Sequence, residues 1–401
     1  MAGKISMSEK LGLYIHIPFC ERKCRYCGFL SFPGFGEELY ERYTAALCKE
    51  ISGYNEKFSS IYTPDTIFTG GGTPSLLDGE KIKRIMDCIR DSFFSGQGAA
   101  DDGKSADDIE VTIESNPNSL TYEKLAAYRQ AGINRLSMGA QSMNDRILDS
   151  LGRVHQSSDV CRAFEQARKA GFENINIDLM FGVPEQTLKD VLESVSSIIE
   201  MKPEHISLYG LQLEEDTIFY EEYKSGILDV PDEKEESRMY HAAADLLRQG
   251  GYDHYEISNW ALSGYECRHN LKYWSMKDYL GAGPGAHSYI KGSRSKNVDR
   301  LDDYLDLIES GRSATDQRSY VFDSKEDAMG IFVFTALRTR QGVDTRAFEE
   351  RFGESFFRVY KDRAELIKKY IDEGLMFLSG SRLALTEQGI DVSNDIMSEF
   401  V

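Results

Sequence analysis

The sequence predicts an α/β fold: a partial (β/α)6 barrel of parallel strands followed by a smaller C-terminal domain. Two observations predict it. Short apolar or β-branched runs alternate with amphipathic segments six times in succession, and the order shows no obvious reversal. The runs begin at Leu13, Asp65, Ile109, Ile133, Asn174 and His205. A doubly wound sheet is the alternative, because it is built from the same units.

Helices are predicted between the runs, where apolar residues recur at helical spacing. They cover residues 37–51, 79–93, 121–131, 157–170 and 187–200. Because parallel strands end at one edge of the sheet, the residues that follow each run are the first candidates for a binding site. Residues 96–108, GQGAADDGKSADD, are small, acidic and aperiodic, and we interpret them as an exposed insertion.

The pattern changes after about residue 230, which suggests three regions. We assign residues 11–230 to the barrel, 231–323 to an extension that carries HNLKYW, and 324–401 to a small α+β domain. In the last region helices lead to the short strand pair LMFLSGSRLALTEQG, a pattern compatible with a winged-helix-like domain.

Charge and composition exclude several classes of partner. The formal net charge is -19, so a nucleic-acid backbone or an anionic lipid surface would be repelled. The N-terminus is polar, and no run reaches the roughly 18 apolar residues of a membrane span. We therefore expect a soluble, cytoplasmic protein that binds no nucleic acid.

Three of the seven cysteines, Cys20, Cys24 and Cys27, follow the first run with C-x3-C-x2-C spacing. Three thiolates can bind three irons of a 4Fe-4S cluster and leave the fourth iron open to another ligand. A structural zinc site is the alternative, with Cys267 or His16 completing the four ligands that zinc requires. The remaining cysteines are interpreted as small buried side chains: Cys48, Cys88 and Cys161.

The segment YIHIPFCERKCRYCGF resembles the cluster loop of the radical S-adenosylmethionine (SAM) family that contains oxygen-independent coproporphyrinogen III oxidases and HemW-type heme chaperones. Further blocks resemble that family in the expected order: GGGTPSLL, ESNPN, RLSMGAQS, LGRVH, NIDLMFGVPEQT and LGAGPGAHSY. The resemblance implies a TIM-like partial barrel of the radical SAM type. It also implies that one electron from the reduced cluster cleaves SAM to methionine and a 5′-deoxyadenosyl radical.

The resemblance implies a SAM pocket of residues that mostly lie near the ends of the runs: Tyr14, Gly71, Gly72, Thr73, Glu114, Gln141, Arg153, Asp178, Gln212 and His287. Glu114 and Asp178 are expected to accept hydrogen bonds from SAM, and Arg153 to pair with its carboxylate. Gln212 and His287 are expected at the adenine end. Singly, each polar residue would more often be a solvated or capping residue. Their clustering at strand ends favours a site.

Two departures from the oxidase pattern favour the chaperone branch. Oxidases of this family carry a further cysteine two residues beyond the third ligand, where this chain has Phe29, and a longer segment before the first run. In addition, HNLKYW resembles the HNxxYW motif of HemW-type proteins. Its His269 could ligand heme iron, and Tyr273 and Trp274 could pack against the macrocycle. A core histidine with an aromatic plug is the alternative, and Cys267, His254 and His287 are the other candidate heme ligands.

The resemblance thus predicts a heme chaperone that binds a 4Fe-4S cluster, SAM and heme. Its expected partners are a heme-acceptor protein, of a respiratory or membrane-associated kind, and an unidentified electron donor. The alternative is an oxygen-independent coproporphyrinogen III oxidase. SAM cleavage is compatible with the intact cluster and glycine blocks. Oxidation of coproporphyrinogen III is not expected, because Phe29 replaces the oxidase cysteine.

Overall fold

The computed structural model describes residues 8–94 and 109–401, so the insertion interpreted at 96–108 lies outside the described residues. The described residues form seventeen strands: β1 (Glu9–Ile17), β2 (Phe19–Cys20), β3 (Phe32–Pro33), β4 (Tyr62–Gly71), β5 (Glu110–Ser115), β6 (Arg135–Gln141), β7 (Ile175–Phe181), β8 (His205–Gly210), β9 (Asp253–Glu256), β10 (Asn259–Ala261), β11 (Tyr279–Ala282), β12 (His287–Ile290), β13 (Ser293–Lys296), β14 (Val321–Phe322), β15 (Val343–Asp344), β16 (Met376–Ser379) and β17 (Arg382–Leu385).

The same residues form sixteen α-helices: α1 (Glu37–Phe58), α2 (Gly79–Phe93), α3 (Tyr122–Gln130), α4 (Asp145–Ser150), α5 (Ser157–Lys169), α6 (Leu188–Met201), α7 (Ile218–Lys224), α8 (Glu233–Gln249), α9 (Arg268–Trp274), α10 (Leu301–Glu309), α11 (Lys325–Leu337), α12 (Thr345–Phe352), α13 (Phe356–Val359), α14 (Ala364–Asp372), α15 (Glu387–Asp391) and α16 (Ser393–Ser398). Among these described helices, none has both the length and the apolar composition needed to cross a bilayer.

Twelve strands form one sheet in the order β14-β13-β12-β11-β1-β4-β5-β6-β7-β8-β10-β9. The six predicted strands are β1 and β4 to β8, and they lie side by side, parallel and in sequence order. β1 is flanked by β11 and β4, and β8 by β7 and β10, so the first and sixth strands do not close on each other. The predicted partial barrel is confirmed. A doubly wound sheet would instead reverse its strand order part-way.

Alternate residues of these strands point to opposite faces of the sheet. One set is apolar and belongs to the main core shared with the helices: Leu13, Ile15, Ile67, Val111, Ile113, Leu136, Met138, Ile175, Ile177, Leu179, Ile206 and Leu208. The other set faces the barrel interior and is largely polar: Tyr14, His16, Thr66, Phe68, Glu110, Thr112, Glu114, Arg135, Ser137, Asn176, Asp178, His205 and Ser207. Burial of the apolar set therefore stabilises the sheet from outside, and the polar set fills the barrel interior.

The predicted helices agree with α1 to α3, α5 and α6 to within a few residues, except that α1 continues to Phe58. Gly53 lies inside this helix, and glycine there costs about 1 kcal/mol relative to alanine. The next residue compensates, because the Tyr54 hydroxyl donates to Glu50 in the same helix and to the Gly281 carbonyl of β11. Tertiary contacts thus extend the helix beyond its amphipathic pattern.

The chain ends in the smaller domain expected from the sequence. Its order α11, β15, α12, α14, β16, β17, with a β15-β17-β16 sheet, is that of a winged helix. Before it, α8 leads to β9 and β10, which add to the large sheet beside β8 in antiparallel orientation. The boundaries at residues 230 and 323 stay predictions.

Candidate functional site

We use the word mouth for the edge of the barrel where β1 and β4 to β8 end, and the word floor for the edge where they begin. The cysteine loop, residues 18–33, follows β1 at the mouth. A hydrogen bond of 2.7 Å from Phe32 N to Pro18 O and the pairing of β2 with β3 close this loop at its base. Cys20, Cys24 and Cys27 are all partly exposed on it. Elsewhere Cys48 and Cys88 are only partly buried and Cys161 is exposed, so the prediction that Cys161 is a buried side chain is wrong.

Each thiol has neighbours that suit a cofactor ligand. The Cys20 sulfur lies 3.6 Å from the Thr73 hydroxyl, and Arg153 Nη1 donates to the Cys24 sulfur at 3.5 Å. Burial raises the pKa of the Cys27 thiol. Iron binding would offset that cost, because a metal binds the thiolate form.

The donor set fits an iron–sulfur cluster better than zinc. Zinc requires several ligands that converge on one ion, and within the described residues no group of three or more Cys, His, Asp or Glu is arranged in that way. A cubane instead binds each thiolate at a different iron. Cys267 is fully buried beside Glu110 at the floor. Both ring nitrogens of His16 are hydrogen-bonded, to the Tyr14 hydroxyl and the Leu30 carbonyl. Neither proposed fourth zinc ligand is therefore available beside the three cysteines.

The glycine run at the end of β4 is bonded to the end of β1. Gly72 N donates to the Ile17 carbonyl at 2.9 Å, and Thr73 N donates to the Phe19 carbonyl at 2.6 Å. A Cβ at Gly72 would lie 2.6 Å from the same Phe19 oxygen, and one at Gly71, where φ is +115°, would overlap the His16 ring. Close packing against the cysteine loop thus requires these glycines, whatever ligand they approach.

Two carboxylates face the barrel interior below the mouth. Glu114 accepts a hydrogen bond of 3.0 Å from Gly71 N, and burial, reinforced by the charge of Asp178, raises its pKa to about 7. Asp178 accepts one of 2.7 Å from the Asn176 amide, and burial raises its pKa as well. Burial also raises the pKa of Tyr14, next to Glu114. These acceptors are only partly exposed, so hydrogen-bond donors of a ligand would stabilise their ionised forms.

Arg153 is buried between β6 and the cysteine loop. Its Nη2 donates to Asn116 Oδ1 at 2.6 Å and to the Gly139 carbonyl at 2.8 Å, and its buried Nε has no hydrogen-bond partner among the described residues. Gln141 ends β6 at a bulge with φ of +66°, a left-handed conformation that costs a non-glycine residue about 1 kcal/mol or more. The strained backbone turns Gln141 back over Gly139, beside Arg153.

Two of the predicted SAM residues, Gln212 and His287, differ from the others in their exposure. Gln212 lies exposed in the loop after β8, and His287 lies exposed at the start of β12. In the sheet order β12 and β8 stand on opposite sides of β1 and β4. Contact of Gln212 and His287 with the adenine stays a prediction.

Sequence reasoning missed Asn116, which joins two of the predicted residues. Its amide donates to the Thr73 hydroxyl at 3.2 Å, and its oxygen accepts from Arg153. The signal was its place in the block ESNPN, directly after β5. Sequence reasoning also missed Arg22, which holds the cysteine loop by donating to the Gly152 carbonyl at 2.8 Å and the Arg153 carbonyl at 2.7 Å.

The HNLKYW residues lie at the floor, in α9, at the opposite end of the strands from the cysteine loop. His269 is 1% exposed, and its ring nitrogens are hydrogen-bonded to the Thr66 hydroxyl at 2.8 Å and the Tyr273 hydroxyl at 2.9 Å. Its ring stacks on Phe68, and burial lowers its pKa to about 3. Glu110 accepts from His269 N at 3.0 Å at the start of the helix.

The other end of α9 reaches the C-terminal domain. Lys272 forms an ion pair of 2.7 Å with Asp65 at the floor, and the Arg338 guanidinium stacks 4.5 Å from the centre of the Trp274 ring. Contact of His269, Tyr273 and Trp274 with heme stays a prediction. It would require α9 to release His269 from its two partners.

The fold and the cysteine loop define a radical SAM protein. Residues 14–198 match the model of the radical SAM superfamily, and residues 323–392 match the HemN C-terminal domain. A solved structure of coproporphyrinogen III oxidase (HemN) from Escherichia coli, a radical SAM enzyme, is similar with a TM-score of 0.84 at 23% identity, over 98% of this chain and 90% of that one.

The similarity to curated heme chaperones is greater. The heme chaperone HemW of Bacillus subtilis is 38% identical over 97% of this chain and 98% of the relative, and that of Lactococcus lactis is 33% identical over 97% and 96%. The chain therefore belongs to the HemW family within the radical SAM superfamily.

Proposed function

We propose that the protein is a heme chaperone that binds a 4Fe-4S cluster, SAM and heme and passes heme to an acceptor protein. One observation carries the proposal: the similarity to a curated heme chaperone extends over 97% of the chain. It therefore includes α9 and the C-terminal domain as well as the cysteine loop. The electron donor and the acceptor are separate proteins in this proposal.

The cofactor half of the proposal uses the mouth. Cys20, Cys24 and Cys27 would hold the cluster, which when reduced supplies the electron for SAM cleavage. Asp178 and Glu114 would accept hydrogen bonds from SAM, and the Arg153 guanidinium, beside Cys24, would pair with the SAM carboxylate. Thr73 and Asn116 would hold Arg153 and Cys20 in place through their mutual hydrogen bond.

The heme half of the proposal uses α9. His269 is neutral at neutral pH because burial lowers its pKa to about 3, and a neutral imidazole is the form that binds iron. Its two hydrogen bonds must break first. Heme ligation by His269 is thus coupled to opening of the floor, which makes heme binding slower than a diffusion-limited association.

The test is anaerobic reconstitution followed by titration with ferric heme. We expect saturable heme absorbance, transfer of heme to a heme-free globin, and a changed heme spectrum in His269→Ala with the iron–sulfur signal preserved. His241→Ala is the matched control, since His241 is an accessible histidine on α8 that pairs with Asp391. If His269→Ala binds heme like the wild type, the axial ligand lies elsewhere. The chaperone function would fail if no saturable heme binding occurred.

The same preparation separates chaperone from oxidase. With SAM, a reductant and coproporphyrinogen III, we expect no protoporphyrinogen IX, because Phe29 stands where the oxidases carry their further cysteine. Phe29 is 70% exposed and offers no reactive group at that position. Sustained turnover would favour the oxidase and overturn the proposal.

A further inference from the structure

β11 runs parallel to β1, with Ala282 paired to Ile15. Its carboxyl end therefore lies at the mouth, and the β11–β12 loop, residues 283–286, emerges beside the cysteine loop. This loop belongs to the block LGAGPGAHSY, for which the sequence suggested only a role of His287. Its glycines have a different task in the structure.

Two glycines of the β11–β12 loop touch the cysteine loop and the end of β1. Gly283 has φ of +99°, and a Cβ there would lie 2.7 Å from the His16 carbonyl oxygen. Gly285 has φ of +67°, and a Cβ there would lie 2.5 Å from Leu30 Cδ2. His16 and Leu30 are themselves joined, because His16 Nε2 is hydrogen-bonded to the Leu30 carbonyl at 2.9 Å. Leu30 follows Cys27 by three residues.

Glu50 on α1 anchors the β11–β12 loop from behind. Its carboxylate is only 8% exposed and accepts four hydrogen bonds, from Gly283 N at 2.8 Å and from Tyr54, Asn297 and Tyr304 at 2.7 Å each. The Asn297 amide also donates to the Gly283 carbonyl at 2.9 Å. A fully bonded buried carboxylate of this kind rigidifies the groups that it holds.

The opposite flank of the cysteine loop is held by the turn that precedes Arg153. Arg25 N donates to the Leu151 carbonyl at 3.1 Å, and the Arg22 side chain donates to Gly152. We infer that the β11–β12 loop and its anchor Glu50 are positioning residues that hold the Leu30 flank, and with it Cys27, in register with the other two cysteines. The inference rests on the proposed role of these cysteines as cluster ligands.

Gly285→Ala tests the inference, with Gly292→Ala as its matched control. Gly292 lies between β12 and β13 with φ of +80°, and a Cβ there would meet nothing within 4 Å. Both substitutions carry the same left-handed backbone cost of about 1 kcal/mol. They differ in that Gly285→Ala presses on Leu30. An effect of Gly285→Ala alone therefore reports the contact with the cysteine loop.

Two measurements are made on the full chain. In the cluster-free protein, we expect Cys27 of Gly285→Ala to react with iodoacetamide several-fold faster than in the wild type or Gly292→Ala. After reconstitution, we expect iron content to be retained while the electron paramagnetic resonance spectrum of the reduced cluster shifts in Gly285→Ala only. Adding Leu30→Ala to Gly285→Ala should restore both readouts, because it removes the atom that the new Cβ would strike.

The inference is overturned if Gly285→Ala matches Gly292→Ala in both readouts, or if Leu30→Ala fails to restore them. If the wild type binds no cluster, the proposed function fails, while the alkylation rates still decide the positioning role. Glu50→Gln, which places a donor where two donors already point, should reproduce the Gly285→Ala behaviour. If Glu50→Gln does not fold, the glycine pair alone decides.

Discussion

The mouth and the floor of the barrel are both lined by polar side chains, yet these are arranged in opposite ways. At the mouth, the cysteines, Glu114 and Asp178 keep partial exposure. At the floor, His269 and Glu110 are buried and hydrogen-bonded within the chain. Partly exposed polar groups can accept a ligand while they keep their internal contacts, whereas buried, hydrogen-bonded groups must first lose theirs.

The same difference in exposure separates the two sequence motifs. The cysteine loop and HNLKYW are both sequence motifs, but the three cysteines of the first are partly exposed, whereas the histidine of the second is buried. The two glutamates on one face of β5 show the same difference. Glu114, at the mouth, accepts one hydrogen bond from a backbone N–H, whereas Glu110, at the floor, accepts two from the first turn of α9.

The largest expected effect is at the cysteines. Replacing Cys20, Cys24 or Cys27 by Ala should abolish the binding of about four irons per chain that a cubane requires. Cys267→Ala is the control, since this thiol lies fully buried at the floor. Iron and sulfide analysis after anaerobic reconstitution measures the outcome. Two results would contradict this expectation: bound zinc with no iron-dependent absorbance in the wild type, or a loss of iron content in Cys267→Ala.

Next in size is the stability of the floor. Glu110→Ala should lower the free energy of unfolding by about 3 kcal/mol, because two backbone donors of α9 and the Cys267 thiol lose a charged acceptor. Glu114→Gln should change it by less than about 1 kcal/mol, because Glu114 accepts only one backbone hydrogen bond. Denaturant unfolding of the cluster-free proteins compares the two. Equal losses would show that mouth and floor are equally integrated.

A smaller effect is expected for SAM binding. Asp178→Ala should weaken SAM binding by about tenfold, or 1.4 kcal/mol, while iron content is unchanged, since Asp178 is not a proposed iron ligand. Arg153→Ala should weaken SAM binding as well, but Arg153 also contacts the Cys24 sulfur, so its cluster must be checked. Equilibrium binding to reconstituted protein gives the dissociation constants. Wild-type affinity in both variants would show that the pocket is misplaced.

The smallest effect is a pH dependence. Because the pKa of Glu114 is raised to about 7, this group is mostly protonated below that pH and mostly ionised above it. An ionised Glu114 accepts hydrogen bonds better, so SAM affinity should rise a few-fold from about pH 6 to about pH 8. Glu114→Gln should be nearly independent of pH over that range. A rise of the same size in Glu114→Gln would assign the titration to another group.

Local pattern predicted the six parallel strands, and the bounds of α2 agree with the prediction to the residue. Strands and helices of this kind are set by the alternation of apolar residues within a short window. The pairing of β11 with β1 was not predicted, because it joins segments more than 260 residues apart. Glu50 was missed for the same reason: on α1 it resembles a solvated charge, and its donors come mostly from residues 283–304.

The site divides in the same way. The cysteine spacing indicated the candidate iron ligands, and position near the strand ends indicated Glu114, Asp178 and Gln141 as candidate SAM residues. Nothing local indicated that α9 would enter the floor, because the amphipathic pattern of a seven-residue helix does not say which end of a barrel it meets. Gln212 was inferred from its position after the sixth run and from resemblance, His287 from resemblance, and both are exposed in the structure.

The outward-facing apolar layer of the strands has an evolutionary consequence. Since foldability resides mainly between the sheet and its helices, residues such as Ser137 and Ser207 can be exchanged without removing contacts from that layer. Both serines are hydrogen-bonded to Asn176, so a change at either position has to replace that bond while the scaffold persists. New ligand preferences should therefore arise by coupled changes among the inward residues.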